Sequence, residues 1–305
     1  MIINIHKHRF AFALLSIVFF LVSGLLIYKY NTGKTGNTPQ SDNVTLVGAF
    51  LNWDEVKGDF PKNAEATVID VDSQLSFRVQ RRGGYNHVDV QPLTSADSAT
   101  MKKIYNGNWT WKRKAVVIKL DNGQMIAASM NGMPHGQGAI SGNDFNGHFC
   151  IHFKNSKTHG SKKVDMAHQL MIWKAANVLD QQLALLNPQE IVGVFITAID
   201  QKDMKIAAKL IDSTDNIEPL LRSLETIDNI KADKINKVEG NRFRVDLRLV
   251  FNNSKNEIRK NIVINTIEKE EYWKIEAQSL TDLLDQNVLT ELQPTSVVTM
   301  EEDWD

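Results

Sequence analysis

Short segments with alternating apolar and polar side chains recur between residues 46 and 178, and they predict a mainly β domain there. Residues 67–72 and 75–79 form one strand pair, with turn residues between them. Residues 115–120 and 125–130 form a second pair across Asp-Asn-Gly, which is a strong hairpin signal. We therefore expect antiparallel hairpins to build the framework of this domain.

Three further segments complete the predicted first domain. Residues 146–153 alternate as a strand does, whereas residues 95–105 and 165–177 carry apolar side chains at helical spacing. The domain is expected to end near residue 178.

The last part of the chain has a different order of elements. Apolar side chains at helical spacing predict helices over residues 189–198 and 202–212, and a short helix over residues 219–224. Alternating strands follow, at 230–238, 243–251, 258–267 and 273–275. Helices followed by antiparallel strands predict an α+β domain, which we place at residues 187–285.

Composition and charge exclude several classes of protein. Apolar residues make up 42% of the 305 residues and charged residues 23%, which is typical of globular chains and not of disordered or collagen-like ones. The net charge of −1 gives no sign of a nucleic-acid-binding protein. Basic residues outnumber acidic ones over residues 46–178, and the reverse holds over residues 179–305, which supports two separately folded parts.

An uncharged run at residues 10–28 predicts a transmembrane helix, because 19 helical residues span roughly the hydrocarbon core of a bilayer. Basic residues precede this run and favour a cytoplasmic stub at residues 1–9. A polar linker would follow at residues 29–45, and a flexible acidic tail at residues 286–305. The expectation is a single-pass cell-membrane protein with extracytoplasmic domains; a cleaved signal peptide is the alternative.

The only cysteine of the chain, Cys150, lies among histidines. His148, Cys150 and His152 alternate along one predicted strand, so their side chains share one face. His135 lies upstream in a turn-rich stretch, and His159 follows in a polar loop. A thiol needs a nearby base to act as a nucleophile near neutral pH, and these histidines could supply it. The alternative is an inert buried thiol beside surface histidines.

The order of these residues resembles the L,D-transpeptidases of bacterial cell walls. His135-Gly136 is followed, after the gap at residues 136–147, by Gly147-His148-Phe149-Cys150, and the strand pair at residues 67–79 resembles the opening hairpin of that family. The resemblance covers about residues 64–155. It implies a mostly β catalytic domain that acts on peptidoglycan stem peptides.

The resemblance also implies roles for three residues. Cys150 would be the nucleophile, His135 the general base, and His148 the motif histidine that precedes the cysteine. The product would be a crosslink or, with water as the acceptor, a shortened peptide. This chemistry requires no metal and no cofactor.

Five further residues are candidates for substrate binding. An arginine can bind a stem-peptide carboxylate, a glycine amide can stabilise an oxyanion, and an asparagine can orient the base. These candidates are His152, Gly147, Asn131, Arg82 and His159.

The α+β domain resembles the NTF2-like or cystatin-like accessory domains of exported bacterial proteins, over about residues 187–283. Such domains bind or position other molecules, which suggests a protein partner here. Partners of the whole chain would be peptidoglycan and, through the N-terminal helix, the membrane.

Two other functions stay open. His148-x-Cys150-x-His152 could bind zinc together with other residues, as in a zinc-dependent wall hydrolase. The additional ligands would come from His135, His159, Asp165 or His168. A non-catalytic wall-binding or assembly protein would fit the same domain order.

Overall fold

The computed structural model describes residues 46–213, 215–252, 254–284 and 291–292, which belong to one compact unit. The predicted stub, transmembrane helix and linker at residues 1–45 lie outside the described residues. Within the described part, none of the helices has both the length and the apolar character needed to span a bilayer.

A closed, six-stranded antiparallel barrel forms the first half of the described chain, in the order β1-β2-β3-β6-β5-β4. A one-turn helix, α1 (Trp53–Val56), precedes the barrel, and α2 (Ser95–Ile104) follows its third strand. The strands are β1 (Glu65–Asp70), β2 (Ser76–Gly83), β3 (Val88–Pro92), β4 (Arg113–Leu120), β5 (Met125–Asn131) and β6 (Phe149–His152).

The barrel interior is filled by the apolar side chains of the alternating strands. Buried residues alternate with half-buried ones along β1 and with exposed ones over the first half of β2, as the sequence predicts. The predicted hairpin of β4 and β5 is also confirmed. Core side chains include Val68, Phe77, Val79, Val90, Ile118, Ile126, Met130, Phe149 and Ile151.

Strand β3 was not predicted from the sequence. Aspartate, glutamine and proline make up three of its five residues, and aspartate and proline are depleted in strands. Its pairing with β2 on one side and β6 on the other nevertheless completes the barrel. The strand matters for function because Asp89 lies directly opposite Cys150 in the β3–β6 register.

A second sheet and a layer of helices form the other half. The sheet has the order β7-β11-β10-β9-β8, and β12 pairs with the other end of β10. Its strands are β7 (Ile211–Asp212), β8 (Ile227–Glu239), β9 (Arg242–Phe251), β10 (Ile258–Ile267), β11 (Lys274–Glu276) and β12 (Glu291–Leu292). The helices are α3 (Met166–Ala175), α4 (Leu179–Leu183), α5 (Pro188–Asp200), α6 (Met204–Leu210), α7 (Glu218–Leu224), a 3₁₀ helix (Ala277–Leu280) and α8 (Thr281–Leu284).

The predicted helix over residues 202–212 is wrong at its end. Helix α6 stops at Leu210, and the next two residues form β7, which pairs in parallel with β11. The tail predicted at residues 286–305 lies outside the described residues, apart from the two residues of β12.

Helix α3 connects the two halves. It packs against β4 and β5 of the barrel and also against α5. Almost every side chain of α3 is therefore buried, including the polar His168 and Gln169. Ala115 and Ala127 on the barrel strands join the same core as this helix, which leaves little separation between the two layers.

An ion-pair network ties helix α3 to its surroundings. Nζ of Lys174 lies 2.8 Å from Asp72 in the turn after β1 and 2.5 Å from Asp203, the residue that caps α6. Burial alone lowers the pKa of Lys174, but these two carboxylates outweigh it and raise that pKa above its ordinary value. Removal of any one of the three charged side chains would leave a partly buried charge without its partner, which lowers the stability of the fold.

Replacement of Lys174 by Met is expected to lower the free energy of unfolding by about 3 kcal/mol, because it leaves two carboxylates without their cation in a largely buried place. Urea denaturation at pH 7 measures this change. Lys209→Met is the matched control, since its ion pair with Asp180 is exposed and should contribute less than about 1 kcal/mol. Equal losses in the two variants would contradict the structural role of Lys174.

Candidate active site

Strand β6 carries Cys150 into the centre of the candidate site. The strand lies between β3 and β5, so its backbone is held on both sides. Phe149 and Ile151 point into the barrel core, whereas the cysteine belongs to neither apolar core cluster. The alternation thus separates the core side chains from the face that carries the thiol.

A two-residue bridge brings His135 onto the thiol. The backbones of His135 and His148 exchange two hydrogen bonds, with N···O distances of 2.9 and 2.8 Å. Nε2 of His135 then lies 3.2 Å from Sγ of Cys150. The ring of Trp111 flanks the His135 ring, with centroids 4.9 Å apart. The loop before β6 therefore places His135 within hydrogen-bond distance of Cys150 on β6.

Backbone carbonyls decide which nitrogen of each imidazole carries a proton. Nδ1 of His135 lies 2.8 Å from the carbonyl oxygen of Met133, and Nδ1 of His148 lies 3.0 Å from that of Gln137. A carbonyl oxygen can only accept, so Nδ1 is the protonated nitrogen in both rings. Nε2 of His135 consequently presents its lone pair to the thiol, as a general base must.

Asp89 is the charged centre of the site. Its Oδ1 lies 3.3 Å from Nε2 of His87, 3.3 Å from Nε2 of His159 and 3.9 Å from Nε2 of His148. The same oxygen lies 3.8 Å from Sγ of Cys150. Burial alone raises the pKa of the Asp89 carboxyl, but the imidazoles outweigh burial and lower it to about 2. Asp89 is therefore a carboxylate at every pH at which the protein would function.

His152 shares the strand face of Cys150 but lies deeper. Its ring stacks between those of His87 and His168, at centroid distances of 4.3 and 3.7 Å, and no part of the residue is exposed. Burial, followed by the neighbouring imidazoles, lowers the pKa of His152 well below its usual range. The ring is therefore neutral and packed beneath the site, where it supports His87 without reaching solvent.

The remaining predicted residues take different positions. Arg82 lies in a bulge of β2 across from Asp89, and its guanidinium donates to Gln80. Asn131 ends β5 and is buried, and its amide makes no hydrogen bond within the described part of the chain. The carbonyl of Met133, and not this amide, orients the base. Asp165, a ligand in the zinc hypothesis, caps helix α3.

Gly147 allows the histidine bridge to form. Its φ is +108°, and a Cβ at this position would stand 2.3 Å from the carbonyl oxygen of His135. Gly136 is constrained in the same way, since a Cβ there would stand 2.4 Å from Cε1 of His148. The two glycines therefore make room for the close approach of loop and strand.

We expect Gly147→Ala to destabilise the protein and to separate His135 from Cys150. The left-handed backbone costs about 1–2 kcal/mol for alanine, and relief of the clash adds about 1–3 kcal/mol. Gly142→Ala is the control, because that glycine has φ +75° but open space around its Cβ position. Urea denaturation and the alkylation rate of Cys150 measure the two effects. A Gly147→Ala variant that matches Gly142→Ala in both would contradict this role.

The sequence did not single out Asp89 or Met133 as functional residues. Asp89 is acidic between two valines, a pattern that could have marked a strand with one charged face. Met133 acts through its backbone carbonyl, which no residue type reveals. His87 also lies in the centre of the site and is wholly buried.

Access to the thiol requires movement. Cys150 has no exposed surface, whereas the side chains of His148 and His159 are 16% and 42% exposed. These two histidines and Asp89 therefore form the border between the sulfur and solvent. A substrate would have to displace at least one of them to bring a carbonyl carbon against Sγ.

Comparison with protein families and with curated proteins identifies no relative of this chain. A scan of the chain against protein-family models gives no match, and a search of curated proteins gives no significant match.

Proposed function

We propose that the protein is a cysteine acyl-transfer enzyme that acts on peptidoglycan stem peptides, as an L,D-transpeptidase or a related carboxypeptidase. One observation carries the proposal: Nε2 of His135 lies 3.2 Å from Sγ of Cys150 while its Nδ1 lies 2.8 Å from the Met133 carbonyl. This is a nucleophile, a base and a group that orients the base, in the relation that nucleophilic catalysis requires.

The substrate class rests on the resemblance of the motif. His135-Gly136, the gap and Gly147-His148-Phe149-Cys150 follow the order found in cell-wall L,D-transpeptidases. The mostly β barrel that carries these residues agrees with the fold that this resemblance implies. The metal-free mechanism of that family also suits a site whose base already contacts the thiol.

The first half of the reaction is the formation of a thioester. His135 Nε2 takes the proton of the Cys150 thiol, and the thiolate attacks the carbonyl carbon of a stem-peptide amide. The Met133 carbonyl, bound to Nδ1–H, stabilises the imidazolium that forms. The tetrahedral intermediate then collapses: the C–N bond breaks, and the leaving amine takes the proton from His135.

The second half regenerates the enzyme. An amine from a neighbouring stem peptide, or water, attacks the thioester and gives up its proton to His135. The C–S bond breaks, and the sulfur leaves as a thiolate that recovers the proton. An amine acceptor gives a crosslink, and water gives a shortened peptide.

Carboxylates of the substrate would be bound at the border of the site. Arg82 can offer positive charge there and is only half-buried, and His159 can offer a hydrogen bond. His148, whose Nδ1 proton is held by a carbonyl, would position the loop that carries the base. We assign His152 to support of the site and not to contact with substrate.

The rest of the chain would keep the enzyme near its substrate. The helix proposed at residues 10–28 would anchor it in the cell membrane, with the domains extracytoplasmic. The α+β part at residues 187–285, with helices ahead of a mainly antiparallel sheet, would be an NTF2-like or cystatin-like accessory domain that binds a protein partner.

Incubation of the full-length protein with purified muropeptides, followed by mass spectrometry, tests the proposal. New crosslinked or shortened products are expected with the wild-type chain and not with Cys150→Ala. If neither protein changes the muropeptides, the acyl-transfer proposal is wrong for these substrates. Binding of both proteins to wall sacculi would then favour a wall-binding or assembly role.

A further inference from the structure

We propose that His87, Asp89, His159 and Cys150 form a binding site for one divalent transition-metal ion, best suited to zinc, beside the catalytic thiol. The site is distinct from the His135–Cys150 pair, although the two share the sulfur. His87 directly precedes β3, Asp89 lies in β3, Cys150 lies in β6, and His159 lies in the loop that follows β6.

The spacing of the four ligand atoms carries the proposal. One ligand atom from each of the four side chains lies within 4.8 Å of the other three. Zinc binds nitrogen and oxygen at about 2.0–2.1 Å and sulfur at about 2.3 Å, so neighbouring ligands of a tetrahedral site stand about 3.3–3.6 Å apart. The Asp89 oxygen stands 3.3 Å from both imidazole nitrogens and 3.8 Å from the sulfur. These three distances are close to the ligand spacing of a tetrahedral zinc site.

The orientation of His87 is the second observation. This residue is completely buried, and its Nδ1 lies 2.8 Å from the carbonyl oxygen of Lys157. In the neutral imidazole that binds a metal, Nδ1 carries the proton and Nε2 directs its lone pair towards the Asp89 carboxylate. Nε2 makes no hydrogen bond within the described residues. A divalent cation between Nε2 and the Asp89 carboxylate would bind both groups while Nδ1 keeps its proton on the Lys157 carbonyl.

Backbone hydrogen bonds hold the segments that carry the four ligands. Asp89 and Cys150 are direct partners in the β3–β6 ladder. The loop that bears His159 is closed by a backbone hydrogen bond from Thr158 to Lys163 and is joined to the start of β3 by one from Lys157 to Asn86. A site built on paired strands and a closed loop loses little conformational entropy when it binds an ion.

The ligand count indicates what such an ion would do. Four protein ligands complete a tetrahedron and leave no position for a water molecule, so the ion would be held and would not activate water. Binding converts the Cys150 thiol to a metal-bound thiolate and releases its proton to solvent. This consequence rests on the proposed function: the sulfur that binds metal cannot attack a peptide, so metal would inhibit acyl transfer reversibly.

Titration of the metal-free, full-length protein with Co²⁺, followed by competition with Zn²⁺, tests the site by absorption spectroscopy. We expect one ion per chain, with the visible bands of tetrahedral cobalt and a thiolate-to-cobalt charge-transfer band in the near ultraviolet. His159→Ala should weaken binding at least about tenfold. Cys150→Ser should lose the charge-transfer band and bind more weakly, and His148→Gln should retain the parent affinity.

Several outcomes would overturn the proposal. These are the absence of bound cobalt or zinc on the parent protein, an unchanged affinity in His159→Ala, or a loss confined to His148→Gln. Circular dichroism checks that each variant folds, and Asp89→Asn replaces His159→Ala if that variant does not. The cobalt titration contains no peptide, so its result is independent of the muropeptide assay. Metal binding without muropeptide turnover would contradict only the proposed function. Turnover without metal binding would contradict only this inference.

Discussion

Replacement of Cys150 by Ser is expected to reduce muropeptide turnover by about 10³-fold or more, which leaves no measurable product. The substitution changes one atom, at a position that is fully buried between two paired strands. The fold should therefore survive while the nucleophile is lost. A hydroxyl cannot replace the sulfur, because an imidazole activates a thiol far more easily than an alcohol.

The wild-type protein is the control for this variant. Because its sequence has one cysteine, labelling by a thiol reagent reports on Cys150 alone. A thiol reagent labels the wild type once and Cys150→Ser not at all, and thermal unfolding compares the stability of the two. If the serine variant folds and retains more than about a tenth of the activity, Cys150 is not the nucleophile. A chelator that abolishes wild-type activity would instead favour the zinc-dependent hydrolase.

Replacement of His135 by Gln is expected to lower kcat/KM about 10²- to 10⁴-fold, since general bases contribute effects of this size. Glutamine can keep a hydrogen bond to the Met133 carbonyl, but it cannot accept the thiol proton. The loss should therefore fall on kcat more than on KM. Steady-state kinetics with a soluble stem peptide measures both constants.

The pH profile of thiol alkylation supplies the internal control for His135→Gln. Well above the ordinary thiol pKa of about 8.5, the sulfur is ionised without help, so the wild type and the variant should react at similar rates. Near neutral pH the wild type should react faster. Identical profiles over the whole range, together with a loss of turnover below tenfold, would show that His135 is not the base of this thiol.

Local patterns predicted much of the fold. Alternation along β1 and the first half of β2, and the Asp-Asn-Gly turn between β4 and β5, gave strands at nearly the observed positions. The closure of these strands into a barrel was not predictable from local spacing. It depends on β3, whose aspartate and proline residues are unfavourable in strands. It also depends on the pairing of β1 with β4, which are far apart in sequence.

The site was predictable only where its residues are close in sequence. The alternation around Cys150 correctly placed the thiol away from the core, and the resemblance of the motif pointed to the loop histidine, His135. Asp89 lies about sixty positions before Cys150 and reaches it only through strand pairing. The burial of His152 depends on helix α3, which covers that face of the barrel with His168. Such tertiary contacts leave no local pattern.

The most direct test of the proposed chemistry is the mass of the intact, full-length protein after brief incubation with a stem peptide. The thioester predicts a mass increase equal to the acyl portion of the peptide, on a proteolytic fragment that contains Cys150, and no increase in Cys150→Ala. A wild-type protein that consumes the peptide without any adduct under rapid quenching, or an adduct that persists in Cys150→Ala, would contradict acyl transfer through this cysteine.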